Sequence, residues 1–259
     1  MLTKSQLAAL AGKFKINESV ILREYIQVLV LERLYSFKES RDIFFKGGTC
    51  LHLLYGAPRF SEDLDFSVNA PEDVFVEFIQ RPFKALAQEN GFLFKERKSV
   101  SGRTFLLTCK DNPSGADVFV KFDFSFREKI TAPRMKFLET SFPVLMTHYV
   151  WCLSLEEILA EKIRAIMCRD KGRDYYDLWY ILNQGVELDW KLLRQKLDFY
   201  KICLSPDCAE LKNKIQQIEQ AEFILDIRPF TPVDQREKLG GFLTYIKDYI
   251  LHKLEEQMK

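Results

Sequence analysis

Two stretches of this chain alternate apolar and polar residues with a period of two, and that period commits them to strands of a sheet with one buried face. From Ser61 to Val68 the apolar set is Leu64, Phe66 and Val68, and the polar set is Asp63, Asp65 and Ser67. From Asp117 to Phe126 the apolar set is Val118, Val120, Phe122, Phe124 and Phe126, opposed by Phe119, Lys121, Asp123 and Ser125. Both polar faces carry aspartates. A sheet that buries the phenylalanines therefore presents Asp63, Asp65 and Asp123 on its other side. The chain of 259 residues has 22 phenylalanines, enough apolar mass for a thick core without disulfides.

The segments around these strands read as a mixture of helix and strand. The first forty residues are helical, with Asn17 placed to cap a run whose apolar positions include Val20, Ile21, Tyr25, Val28 and Leu29. Asp42 to Lys46 is short, aromatic and bounded by Gly47-Gly48, which predicts a strand ending in a tight turn. A short helix follows over 49–55, stopped at Gly56 with Pro58 beyond. The spacing predicts a helix over 72–90 and strands over 92–97 and 103–109. From Ser154, whose capping box uses Glu157, the chain reads as helical to its end. Those helices are expected at Asp174 to Leu182, 189–202, 207–226 and 234–257. The fold class is thus α+β, a mixed sheet with flanking helices followed by a helical C-terminal domain. The Phe142-Pro143 stretch is the expected boundary, giving domains 1–145 and 146–259.

Composition excludes several function classes. Lys plus Arg total 38 and Asp plus Glu total 37, a net charge of +1, so a chain-wide basic surface for nucleic acid is excluded and a local patch is not. Six cysteines include no CxxC pair and the three histidines are scattered, so no zinc spacing exists and the thiols read as free. No signal-peptide core and no stretch near the roughly 18 apolar residues of a membrane span is visible, which predicts a cytoplasmic protein without a membrane partner.

The chemistry is carried by one constellation. Two carboxylates two residues apart on a strand point to the same side, and their repulsion is removed by a divalent cation with hard oxygen ligands, Mg²⁺ (or Mn²⁺). Asp123 on a neighbouring strand would complete a three-carboxylate site. Gly47 and Gly48 open a helix, where backbone N–H groups attract phosphate. A phosphate cradle beside a metal-binding carboxylate pair is what metal-assisted transfer from a nucleoside triphosphate requires. Further on, Lys162 and Arg169 lie seven residues apart on one helical face, and Arg164, Lys171 and Arg173 add positive charge nearby. This stretch reads either as a phosphate clamp or as an ion-paired helix face. Asp174 is either a site residue or an N-cap, and Asp177 either a site residue or a partner of Arg173 one turn away. Tyr175, Tyr176, Trp179 and Tyr180 fit core packing better than base stacking.

The run Phe45-Lys-Gly-Gly-Thr-Cys-Leu51, then Arg59-Phe-Ser-Glu-Asp-Leu-Asp-Phe66, resembles the nucleotidyltransferase AbiEii/AbiGii toxin family of the DNA polymerase β-like nucleotidyltransferase superfamily. A second signature matches as well: Glu161-Lys162, then Arg169-x-Lys171-x-Arg173-Asp174-x-x-Asp177-Leu178. The likeness covers roughly residues 20 to 185. It implies a minimal polymerase β-like fold and Mg²⁺-dependent nucleotide transfer. Gly47, Gly48 and Thr49 would hold the triphosphate, with Lys46, Arg59, Ser61, Arg169 and Arg173 also placed at the nucleotide. Asp63 and Asp65 would bind metal, Asp123 would be the third carboxylate, and Lys162 with Asp174 would complete the catalytic set. The expected activity is transfer from an NTP to an RNA acceptor such as the tRNA 3′ end, by a toxin of a toxin–antitoxin or phage abortive-infection pair with a cognate antitoxin. The alternatives are nucleotidylation of a protein or small molecule, and a non-catalytic nucleotide- or RNA-binding regulator.

Overall fold

Helix caps and alternating strands account for most of the first part of the chain. The computed structural model describes residues 1–99 and 102–258. Helix α1 (Lys4–Phe14) starts at a capping box in which the Thr3 hydroxyl accepts from the Gln6 N–H. Helix α2 (Glu18–Tyr35) starts at Asn17, whose Oδ1 accepts from the Ser19 N–H at 2.8 Å. A 3-10 turn at Lys38–Asp42 leads into strand β1 (Ile43–Lys46), which runs directly into helix α3 (Gly47–Tyr55). Strand β2 (Leu64–Val68), helix α4 (Glu72–Asn90) and strands β3 (Leu93–Ser99), β4 (Gly102–Cys109), β5 (Val118–Ser125), β6 (Pro133–Lys136) and β7 (Val150–Leu153) complete this part.

The strands form one mixed sheet in the order β3-β4-β5-β2-β1-β7-β6. β2 lies parallel to β5 and antiparallel to β1, and β1 lies parallel to β7. The predicted parity holds. Leu64, Phe66, Phe122 and Phe124 are fully buried, and Phe66 stacks on Phe124 at 4.7 Å between ring centroids. Helix α4 covers this face, with Phe75 against Phe124 at 4.7 Å and Phe83 against Phe122 at 5.5 Å. Burying a phenylalanine of this kind contributes about 1.5–3 kcal/mol.

The chain divides into two compact units, Met1–Leu153 and Ser154–Lys259. The break therefore falls later than the Phe142-Pro143 stretch and the 145/146 boundary, because β7 carries the chain back beside β1 before the helices begin. The second unit consists of α5 (Leu155–Cys168), α6 (Gly172–Asn183), α7 (Trp190–Phe199), α8 (Ala209–Gln217), α9 (Gln220–Ile227) and α10 (Leu239–Gln257), with short 3-10 turns between the last two. The helix expected over 207–226 is two helices, because Ile218 turns to φ −57, ψ 126. Among the described residues no helix is long and apolar enough to cross a membrane. All six cysteines are free, four of them buried.

Candidate active site

The β1–α3 junction brings the glycine turn against the carboxylate face. Gly47 has φ +78, the left-handed region, which a residue with a side chain adopts at a cost. A Cβ placed on it would lie 2.5 Å from Asp65 Oδ2. A Cβ on Gly48 would lie 3.0 Å from Ser61 Oγ and would also strike the Arg59 guanidinium. The absence of side chains at these two positions is therefore what lets Asp65, Arg59 and Ser61 pack on the start of α3. Thr49, also buried, donates through its hydroxyl to the Asp63 carbonyl at 2.5 Å. Arg59 is buried as well, and it donates to the Phe60 carbonyl at 3.0 Å.

The strand register aligns a polar row across the sheet. Lys46 stands opposite Asp65, Asp65 beside Asp123, and Asp123 opposite Thr104. β2 begins at Leu64, so Asp63 belongs to the end of the preceding loop and not to the strand that the alternation predicts for it. Lys121, two residues before Asp123 on the same face, lies against two of the carboxylates. Its ammonium lies 2.6 Å from Asp123 Oδ2 and 3.7 Å from Asp63 Oδ2. Burial opposes its charge, but the bond to Asp123 and the fields of Asp63 and Asp65 outweigh that and raise its pKa above the ordinary lysine value. The other Asp123 oxygen accepts from the Thr104 hydroxyl at 2.7 Å. Among the described residues no group of three or more His, Cys, Asp or Glu side chains is gathered as a metal site. Of the three expected carboxylates, Asp123 is turned to Lys121 and Thr104. Strand parity puts Lys121 on this face too, a signal that attention to the aspartates alone passes over.

The second cluster lies within the second unit, on α5 and α6. Lys162 Nζ lies 2.9 Å from Asp174 Oδ1 and 2.7 Å from Asp177 Oδ2. Arg169 Nε donates to Asp174 Oδ2 at 2.8 Å. Burial would push the Asp174 carboxyl up, but the Lys162 charge and the Arg169 hydrogen bond overcome this and hold it well below the usual carboxylate range. Asp174 does not cap α6: the helix starts at Gly172 with Lys171 at its N-cap, and Asp174 turns to Lys162 and Arg169 instead. Asp177 also meets the Lys162 ammonium. Arg173 reaches Asp226 at 3.2 Å and lies over the Phe230 ring. Asp174 and Asp177 thus hold the same lysine. Tyr175, Tyr176 and Tyr180 are buried, and Trp179 meets Phe242 edge-on at 4.8 Å, as core packing requires.

A sequence model of the nucleotidyl transferase AbiEii toxin family, a type IV toxin–antitoxin system, matches residues 29–242. Among solved structures, the chain is similar to MenT4, a nucleotidyltransferase toxin of Mycobacterium tuberculosis, with 19% identity, TM-score 0.63, and 100% of this chain and 98% of that one covered. It is also similar to JHP933 of Helicobacter pylori, with 20% identity, TM-score 0.57, and coverage of 93% and 96%. These likenesses carry the fold. A search of curated proteins finds no match. With most of its length matched, including both signatures, the chain belongs to the nucleotidyl transferase AbiEii toxin family of type IV toxin–antitoxin systems and is a nucleotidyltransferase.

Proposed function

We propose that this toxin transfers a nucleotide from an NTP to an RNA acceptor, with the tRNA 3′ end as the first candidate, in a reaction assisted by Mg²⁺ (or Mn²⁺). The observation that carries the reading is the close approach of the glycine turn to Asp65, which sets the start of helix α3 and a carboxylate at one end of β1 and β2. The donor set fits a divalent cation: Asp63 and Asp65 offer hard oxygens, and the Lys121 ammonium already lies within 4 Å of both Asp63 and Asp123, so this corner attracts positive charge. Asp63 and Asp65 would hold the ion, with Asp123 as a third ligand once Lys121 turns away. A bound divalent ion would neutralise the triphosphate and favour departure of pyrophosphate.

The chain's own residues orient the substrate. The N–H groups at the start of α3 face the triphosphate, and Arg59 and Ser61, packed on Gly48, grip it from the loop side. Lys46, opposite Asp65, adds positive charge at the same end of the sheet. The acceptor hydroxyl oxygen bonds to the α-phosphorus and gives up its proton to solvent, the bond between the α-phosphorus and the α,β-bridging oxygen breaks, and pyrophosphate leaves with that oxygen. Lys162, Arg169 and Arg173 enter this reading as a second basic element within the second unit, with Asp174 the carboxylate that orients Lys162 and Arg169, and a cognate antitoxin as the partner that restrains the activity. The test is incubation of the purified protein with each labelled NTP, MgCl₂ and total tRNA. Label in RNA that disappears in Asp65→Ala supports the reading. Label in protein or in small solutes transfers the assignment to those acceptors, and no Asp65-dependent incorporation at all defeats it. Growth arrest on expression, relieved by Asp65→Ala, would tie the toxicity to the chemistry.

A further inference from the structure

The loop between α3 and β2, residues 56–63, has no regular structure of its own, yet it carries Arg59, Ser61 and Asp63. Its carbonyl groups are held by side chains from two helices. From α3, the Thr49 hydroxyl donates to the Asp63 carbonyl, and His52 Nδ1–H donates to the Ala57 carbonyl at 2.5 Å. The His52 ring also packs on Phe60 at 4.8 Å. From α2, the Gln27 carboxamide donates to the Ser61 carbonyl at 3.2 Å and to the Glu62 carbonyl at 2.8 Å, spending both its protons. Glu24, one helical turn before Gln27, places its Oε2 3.0 Å from His52 Nε2. Gln27 is 1% exposed, so neither solvent nor a rotated side chain can replace these bonds.

We infer that Gln27 and the Glu24–His52 pair are positioning residues for the nucleotide site: they clamp the loop so that Arg59 and Ser61 stay packed on Gly48. The inference rests on the proposed role of Arg59 and Ser61 at the triphosphate. Without the clamp, the Ser61 and Glu62 peptides lose their donors, and the loop is free to take Arg59 away from the helix start. Small displacements of a substrate-gripping group are costly to binding and orientation. The clamp touches neither substrate nor metal, so its effect must pass through Arg59 and Ser61.

The experiment is calorimetric titration of the intact protein with ATP, CTP, GTP and UTP in MgCl₂, paired with steady-state incorporation, for Gln27→Met, Arg59→Met and the double variant. Gln27→Met is expected to weaken NTP binding and raise KM by about tenfold with a smaller change in kcat. In the Arg59→Met background the same substitution is expected to change binding less than about twofold, because the group it positions is gone. An equal loss in both backgrounds would place Gln27's effect elsewhere and overturn the inference. So would unchanged binding in Gln27→Met while Arg59→Met is impaired, although the nucleotide-site reading would then stand. If Arg59→Met and Asp65→Ala both bind and turn over NTP normally, it is that reading which fails. Should Gln27→Met not fold, Glu24→Gln, which loosens only His52, takes its place in the same cycle.

Discussion

Replacing Lys162 by methionine separates two roles for this residue, internal counter-ion and phosphate ligand. The stem keeps its packing and only the ammonium is lost. That ammonium lies 2.9 Å from Asp174 and 2.7 Å from Asp177, whose side chains are 2% and 1% exposed. Asp174 keeps Arg169, and Asp177 loses the Lys162 charge in a place water does not reach. Removing one partner of a buried ion pair costs about 3–5 kcal/mol, a large share of a typical total of about 5–15 kcal/mol. Urea denaturation should register that loss, with a melting temperature lower by roughly 10 °C. Adding Asp177→Leu should recover most of it, because an apolar pair leaves no charge stranded. The pH dependence has a definite sign. The Asp174 carboxyl is held below its unfolded value, so its stabilisation is complete above about pH 4 and is lost as pH falls through the folded pKa. The gap between wild type and Lys162→Met should therefore be widest near neutrality and narrow in acid. A gap below about 1 kcal/mol, or one that does not change with pH, would refute the counter-ion argument. Unchanged stability together with weakened NTP binding would instead make Lys162 a phosphate ligand.

Two further substitutions address the first unit. Gly47→Ala places a methyl group 2.5 Å from Asp65 Oδ2 in a backbone conformation with φ +78, so NTP turnover should fall by about 100-fold while circular dichroism shows the fold retained; turnover within about threefold of wild type would contradict the close-approach argument. Lys121→Met removes the cation that binds Asp123 and Asp63, so Mg²⁺ affinity measured by calorimetry should tighten by up to about fivefold, the limit set by a half-exposed ion pair. Weaker Mg²⁺ binding would mean that Lys121 organises the carboxylates instead of competing for them.

How much of the fold and site is legible in the residue order depends on the range of the interactions involved. Period-two alternation is local, so the burial of Phe66, Phe122 and Phe124 and the shared face of Asp65 and Asp123 can be read directly from the spacing of those residues. Strand β7 cannot: Val150-Trp-Cys-Leu153 is a short continuous apolar run with no alternation, and its pairing with β1 joins residues about a hundred apart. β6 offers even less, since Pro133-Arg-Met-Lys136 is largely exposed and becomes a strand only by pairing with β7. The break between α8 and α9 has neither Gly nor Pro to mark it. Gln27 and His52 carry no sequence signal for a related reason, because their partners are carbonyl groups of a loop, which every residue possesses. Asp63 shows the limit of parity itself: alternation continues through it, but hydrogen-bonded pairing begins at Leu64.

The basic stretch from Lys162 to Arg173 changes meaning once its partners are known. Read along the chain it suggests a surface for phosphates. In the fold, Lys162 is taken by Asp174 and Asp177, Arg169 by Asp174, Arg173 by Asp226, and Arg164 lies over the Tyr200 ring at 4.3 Å. Charge spent on a buried carboxylate at close range is largely cancelled for any ligand farther away. A polynucleotide would therefore meet much less positive potential here than the residue count implies. The same holds for Lys196, enclosed by Glu157 at 2.9 Å and Glu161 at 3.2 Å. Both of these buried lysines of the second unit are thus matched by carboxylates at close range. The carboxylate corner of the first unit is balanced differently, by a Lys121 side chain exposed enough to move. That difference sets the buried lysines, closed in by carboxylates, apart from Lys121, whose place the proposed cation would take.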